Sequence, residues 1–248
     1  MINRDSFRDS GGSGQIIVLL HGFLASSRYW SRLQPLLLRD GYRVVTIDLL
    51  GFGYAPKPRT ADYTYEDHSN HLEIILKDLH ITRPFILVGH SMGASIAARY
   101  GRLHSDDIKA LILIHPPLYK DPQNARATLR STGKLYRFLL DSPNRNLVWF
   151  ALKNLNLSIL GKHTHRAREM SLINIIEAAE IFQDIENIKV RTLLIVGSND
   201  RKEYTENLRE HSVNNKMVTI AIEKTSHHSP RTHPLLVKNH IVSLDNHS

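Results

Sequence analysis

Pro84-Phe85-Ile86-Leu87-Val88-Gly89-His90-Ser91-Met92-Gly93 is the stretch that decides the fold of this chain. An apolar run leads into a G-x-S-x-G pentapeptide, and a helix-like stretch from Met92 to Leu103 leads out of it. A serine that attacks a carbonyl has to project from a strand-to-helix turn so tight that its own backbone is strained. Side chains two positions to either side would then collide with the neighbouring strand and helix, so both positions call for glycine. The helix start also offers a backbone N–H, from Met92, that can stabilise an oxyanion. Glycine, serine and glycine meet by chance in many chains. The strand before and the helix after give this instance its weight.

Working outward, the preceding sequence reads as strand and helix in alternation. Gln15 to Leu20 is a β-rich run, followed at once by His21-Gly22-Phe23. A helix-like segment covers Tyr29–Arg39, and Tyr42 to Ile47 is the next strand, ending in the glycine-punctuated Asp48-Leu49-Leu50-Gly51-Phe52-Gly53-Tyr54. Helical spacing of Leu72, Ile75, Leu76 and Leu79 marks Tyr65 to Leu79. Ile108 to Ile114 is a further strand, after which the alternation breaks at His115-Pro116-Pro117. From there to about Asn187 the pattern is helical. Strand pattern resumes at Val190–Val196, followed by Gly197-Ser198-Asn199-Asp200, a helix over Lys202–His211 and a strand from Met217 to Ile222. Thr225-Ser226-His227-His228-Ser229-Pro230 and a last helix across Leu235–Leu244 complete the chain. This order predicts an α/β fold with a mostly parallel, doubly wound sheet. The core domain is expected over 1–115 and 188–248, and a helical cap insertion over 116–187. Only about fourteen residues precede the first strand, enough for one short additional strand.

Composition bounds the class. A chain of 248 residues, 42% hydrophobic and 23% charged, can bury a sizeable core. No apolar run reaches the ~18–20 residues of a membrane helix, and the first residues lack the apolar core of a signal peptide. With no cysteine there is no disulfide framework or thiolate site. A cytoplasmic location is expected. The net charge is +8, and its distribution is uneven. Between Pro116 and Met170 stand ten Lys/Arg against three acids, a local excess of +7.

In sheets of this kind, sites form at the C-terminal ends of the strands. Four loops leave those ends with reactive groups: His21-Gly22-Phe23, Ser91, Asp200 and the pair His227/His228. A hydroxyl needs a histidine as general base, and the histidine needs a carboxylate to fix its tautomer and stabilise its cation.

These stretches resemble the α/β-hydrolase superfamily, of the type with a helical cap: His21-Gly22-Phe23, Asp48-Leu49-Leu50-Gly51-Phe52-Gly53, the Ser91 pentapeptide, Leu193-Leu194-Ile195-Val196-Gly197-Ser198-Asn199-Asp200 and the terminal histidine segment. The resemblance implies an α/β-hydrolase fold, Ser91 as nucleophile, Asp200 as acid and an oxyanion hole from the N–H groups of Phe23 and Met92. It implies His227 as base, because the family's histidine commonly precedes a proline by seven positions, as His227 precedes Pro234. His228 is the alternative base. The family usually has glycine before this histidine, where this chain has Ser226. The function expected is hydrolysis of a carboxylic ester through a Ser-His-Asp triad and an acyl-enzyme. The alternatives are thioester hydrolysis, carbon–carbon bond hydrolysis or cofactor-free perhydrolysis on the same triad, or a non-catalytic ligand-binding member of the fold. Superfamily members with an aspartate nucleophile are set aside by Ser91.

No cofactor, metal or nucleic-acid partner is expected: fifteen histidines invite a metal, but HExxH and the acidic or thiolate company of a zinc site are missing. The expected ligand is a small acyl ester. The basic insertion suggests, more sharply, an acidic acyl carrier or a CoA-type thioester, against the plainer reading of a solvated surface. Asp48 reads as a loop-holding residue and His90 as the variable position of its motif. His68, His71 and His80 read as solvated or capping groups. Tyr29, Trp30, Phe138, Trp149, Phe150, Leu152 and Leu155 could line an acyl pocket, though each is more often core.

Overall fold

The computed structural model describes residues 4–131 and 161–246. Seven strands form one sheet: β1 (Phe7–Asp9), β2 (Ile16–Leu20), β3 (Arg43–Ile47), β4 (Phe85–His90), β5 (Ile108–Ile114), β6 (Thr192–Gly197) and β7 (Val218–Glu223), in the spatial order β1-β3-β2-β4-β5-β6-β7. The short β1 runs antiparallel to β3, and every other neighbouring pair is parallel. The chain thus moves outward from β2 to β3, then returns past β2 to β4. That reversal opens a crevice at the C-terminal ends of β2 and β4.

The inner strands β2 to β6 are rich in Ile, Val and Leu because helices cover both faces of the sheet there; at the edge, β7 leaves Ile220 and Ile222 exposed. In β2, Ile16, Val18 and Leu20 enter one core cluster, and Ile17 and Leu19 enter the other. The first cluster is closed by Leu72, Ile75 and Leu76 of α2 (Tyr65–Asp78) and by Ile96 and Ala97 of α3 (Met92–Leu103). Leu37 of α1 (Gln34–Arg39) and Val237 and Ile241 of the last long helix (Pro234–Asn246) close the second. Helix α2 starts where Thr64 and Asp67 each accept the other's backbone N–H, a reciprocal cap. The segment expected as one helix over Tyr29–Arg39 is two: a 3-10 turn over Ser27–Arg32, then α1. Pro35 has no N–H to give back to the preceding turn, so it can only open a new helix.

Between β5 and β6 the described residues are helical: α4 (Pro122–Ser131), α5 (His165–Ser171), a π turn over Leu172–Ile176 and α6 (Ile181–Asn187). The one β feature among them is a bridge between Phe52 and His163. Phe138, Trp149, Phe150, Leu152 and Leu155, with Lys134, Arg137, Arg145 and Lys153 of the basic run, lie outside the described residues. No helix among the described residues is long and apolar enough to cross a membrane.

Helix α3 is anchored on its far side by charge. Arg99 and Arg102 both donate through Nε to Asp184 Oδ1 of α6, at 2.7 and 2.8 Å, and the Asp184 side chain is fully buried. Arg99 also reaches Glu180 and lies 4.1 Å above the Tyr65 ring. Removing one member of such a set strands a buried charge. Replacing Asp184 by alanine is therefore expected to lower the unfolding free energy by about 3–5 kcal/mol, measured by urea denaturation; a loss under about 1 kcal/mol, the worth of an exposed pair, would contradict it.

Candidate active site

Strand β4 delivers Ser91 into a turn with φ 53° and ψ −121°, a left-handed backbone that a serine adopts only under strain. The Ser91 N–H donates to the Ile114 carbonyl at 2.9 Å, fixing the turn to β5. Crowding explains the flanking glycines. A Cβ at Gly89 would run into the Gly93 carbonyl, and one at Gly93 into the carbonyls of Leu20 and His21. Gly22 faces the turn from β2, where a Cβ would stand 3.0 Å from both Ser91 Cβ and His90 Nδ1.

The loops after β6 and β7 bring the other two groups to the serine. His227 Nε2 lies 3.1 Å from Ser91 Oγ, and His227 Nδ1 lies 2.7 Å from Asp200 Oδ2. With Asp200 as acceptor, Nδ1 carries the proton, so Nε2 is free to accept one from the serine hydroxyl. Burial pushes the Asp200 carboxyl up, but the hydrogen bond and charge of His227, the Arg201 N–H at 2.8 Å and nearby His115 outweigh it and hold the group below the ordinary value. His228, the alternative, is turned elsewhere: its Nδ1 lies 3.3 Å from the Tyr29 hydroxyl. The N–H groups of Phe23 and Met92 engage no hydrogen-bond acceptor among the described residues, and Met92 is the first residue of α3, where helical partners are missing by geometry.

Three polar side chains hold these loops, two of them with little sign in the sequence. His90 donates from Nε2 to the His227 carbonyl at 2.7 Å and stacks on Tyr29 with ring centroids 4.6 Å apart. His115, just after β5, accepts the Gly197 N–H on Nδ1 at 3.0 Å and faces Ser229 Oγ from Nε2 at 2.7 Å. It ties the acid-bearing turn to the histidine loop, and its own φ of 48° is strained. In the sequence it marks only the end of a strand pattern; its position at the same sheet edge as Ser91 and Asp200 was the available signal. Asp48 accepts the N–H groups of Ser27, at 2.5 Å, and Tyr54, at 2.7 Å. It holds its own loop as expected and also the loop that follows Phe23.

His68 and His71, expected to be solvated or capping, are buried, because α2 turns that face onto the Asp48 loop. His71 donates from Nε2 to the Asp48 carbonyl at 3.1 Å. His80 is exposed, with Nδ1 3.1 Å from the Lys77 carbonyl at the end of α2. Among the described residues no group of three or more His, Asp or Glu side chains is arranged to hold a metal. Of the aromatic candidates, Trp30 and Tyr29 both belong to the core, and Tyr29 also lines a cavity of about 190 Å³ with Phe23, Leu24, Ala25, Ser91, His227 and His228.

Comparison with known proteins agrees with this architecture. A family model described as the alpha/beta hydrolase fold matches residues 15–141. The chain is similar to the "Probable lysophospholipase BODYGUARD 2" of Arabidopsis thaliana, 28% identical over 210 residues, which are 79% of this chain and 42% of the plant protein. It therefore spans less than half the length of that relative. Among solved structures it is similar to a bromoperoxidase from Bacillus anthracis, at 24% identity and TM-score 0.74 over 97% of this chain and 94% of the other. It is also similar to a carboxylesterase structure from Nitrososphaera gargenis, at 18% identity and TM-score 0.76 over 98% and 95%. At these identities the structural likeness shows the fold.

The buried histidines set the acid stability. Burial, with the neighbouring His227 charge, lowers His115 to about 4 and His90 well below 6.5; burial and the nearby His71 charge lower His68 to about 3. Each is neutral when folded and takes up a proton more readily when unfolded, so the unfolded state binds more protons below pH 6.5. Stability is expected to fall as pH drops from 6.5 towards 4, more steeply than the ~1.4 kcal/mol per pH unit of a single proton. Chemical denaturation at stepped pH measures it, and a flat profile over that range would refute it.

Proposed function

The chain belongs to the α/β-hydrolase fold family, and from that premise we propose that it is a serine hydrolase of carboxylic esters. Ser91 is the nucleophile, His227 the general base and then acid, and Asp200 the group that orients the histidine. The observation that carries this is the continuous hydrogen-bonded line from Ser91 Oγ through both nitrogens of His227 to Asp200 Oδ2, at 3.1 and 2.7 Å. A line of this kind takes the serine proton as the oxygen attacks, and the carboxylate stabilises the imidazolium that forms. The N–H groups of Phe23 and Met92 receive the charge that develops on the carbonyl oxygen. His227 then protonates the leaving alcohol, and the same nitrogen activates the water that hydrolyses the acyl-enzyme.

Residues 116–187 form a lid over this site in the proposal. An acidic acyl carrier docking on this segment gains no support from the family match; of the described cations there, Lys120, Arg126 and Arg166 are paired with Glu210, Glu177 and Asp62, and Lys162 lies 5.2 Å from the centroid of the Tyr54 ring. A small acyl ester is the substrate class retained. Thioester, carbon–carbon or perhydrolytic chemistry would use the same three groups, so substrate panels have to separate them.

The test is turnover of para-nitrophenyl esters from acetate to long acyl chains, beside matched thioesters. Ser91→Ala is expected to lose activity about a thousandfold or more, since the three groups act as a unit. A His227→Ala variant should fall similarly, whereas His228→Ala should keep the greater part of its activity. Wild-type protein that turns over no member of the panel, or a Ser91→Ala variant that retains turnover, would overturn the proposal.

A further inference from the structure

The cavity beside Ser91 has a wall that the chemistry just described does not use. Tyr29 and His228 form it, and Arg231 and Arg32 stand behind them. The Arg231 guanidinium lies 6.0 Å from the centroid of the Tyr29 ring, and Tyr29 contacts His228. Burial dominates both groups, lowering His228 and raising Tyr29; the Arg231 charge opposes proton uptake by His228 and eases ionisation of Tyr29, and the Asp200 carboxylate acts on both in the opposite sense. Arg32 is three residues after Tyr29 on a 3-10 turn, where side chains three apart eclipse. One of its nitrogens donates to the Arg231 carbonyl at 3.0 Å.

Protonation states make this wall one-sided. The His90 Nε2 proton goes to the His227 carbonyl, so the Tyr29 hydroxyl finds its acceptor in His228 Nδ1. His228 Nε2 then carries a proton, and neutral His228, Arg231 and Arg32 present hydrogen-bond donors only. Some cations of the chain meet acids, as Arg43 meets Asp9, Arg166 meets Asp62 and Lys238 meets Asp40, whereas exposed ones such as Arg83 meet only backbone carbonyls. Among the described residues neither Arg231 nor Arg32 has a carboxylate partner, although Arg231 is only half exposed. A half-buried guanidinium with no carboxylate partner among the described residues, next to the His228 side of the reaction cavity, is placed to meet an anion.

We infer that Arg231, with His228 and Arg32, forms an oxyanion-binding subsite beside Ser91, and that the ester substrate carries a carboxylate or phosphate near its scissile bond. The inference rests on the serine-hydrolase proposal for Ser91. Guanidinium is suited to both anions because its parallel N–H groups match two oxygens at once.

The experiment compares four esters: neutral para-nitrophenyl butyrate, para-nitrophenyl hemiadipate with a carboxylate on the acyl side, and para-carboxyphenyl and para-phosphophenyl butyrate with the anion on the leaving group. Each is assayed with wild type, Arg231→Gln and Arg231→Lys, after thermal melts confirm that the variants are folded. For at least one anionic ester, the ratio of its kcat/KM to that of the neutral ester is expected to fall about tenfold in Arg231→Gln. The loss should lie mainly in KM, recover in large part in Arg231→Lys, and shrink in the wild-type comparison as salt is raised. Which anionic ester responds assigns the anion to the acyl or leaving side and to carboxylate or phosphate. Equal ratios in wild type and Arg231→Gln for all three anionic esters would overturn the subsite. If wild type hydrolyses none of the four, the hydrolase proposal fails separately, and binding decides the subsite. Titration calorimetry of para-carboxyphenyl and para-phosphophenyl butyrate with Ser91→Ala should then show at least one bound about tenfold more weakly by Ser91→Ala/Arg231→Gln; equal affinities for both would refute it.

Discussion

Everything at the candidate site depends on how closely three pieces of backbone approach one another at Ser91. The end of β2, the turn after β4 and the first turn of α3 meet so tightly that Gly89 and Gly93 have no room for a Cβ, and one at Gly22 would stand 3.0 Å from Ser91 Cβ. At this meeting point serine stands at a φ of 53°. Strain of this kind costs on the order of 1–3 kcal/mol and persists where the surroundings over-determine it. Here the surroundings are the fully buried strands on either side and the Ser91 N–H bond to Ile114. The strain has a use. It lifts the hydroxyl clear of the sheet and aims the start of α3 at the same point.

The remaining groups arrive on loops, and each loop is held by a buried polar side chain rather than by apolar packing. Asp48 holds the segment after Phe23, His90 holds the His227 carbonyl, and His115 joins the Gly197 turn to Ser229. Histidine suits the His115 place because a neutral ring has one donor and one acceptor in fixed directions, and burial keeps both His115 and His90 neutral. A charged group there would compete with His227 for Asp200. The single carboxylate at the heart of the site is therefore left to the one histidine that reaches Ser91.

Helix α3 links this local geometry to the rest of the chain. Its first turn carries the site, and its last turns carry Arg99 and Arg102, both bonded to Asp184 of α6. Helix α6 is where the chain comes back from the segment between β5 and β6. The segment and the strained turn thus share one rigid element, with the sheet on one side and a buried ion cluster on the other.

The sequence determined the layout. Continuous apolar runs mean strands buried on both faces, helical spacing gives the covering layers, and the glycines around Ser91 make sense only in a strained turn. Strand β5 and the helix over Lys202–His211 fall where their residues say, because local periodicity suffices for elements of that length. Ser91, Asp200 and the two candidate histidines could be named from their places at strand ends. The spacing to Pro234 favours His227 over His228 through a family resemblance; the physical difference is tertiary, since one ring faces Ser91 and the adjacent one faces Tyr29. The burial of His68 and His71, the bridging by His115 and the placing of Arg231 beside Tyr29 were illegible. These depend on contacts between residues tens to more than a hundred positions apart, and such contacts exist only once the sheet has set the distance between its loops.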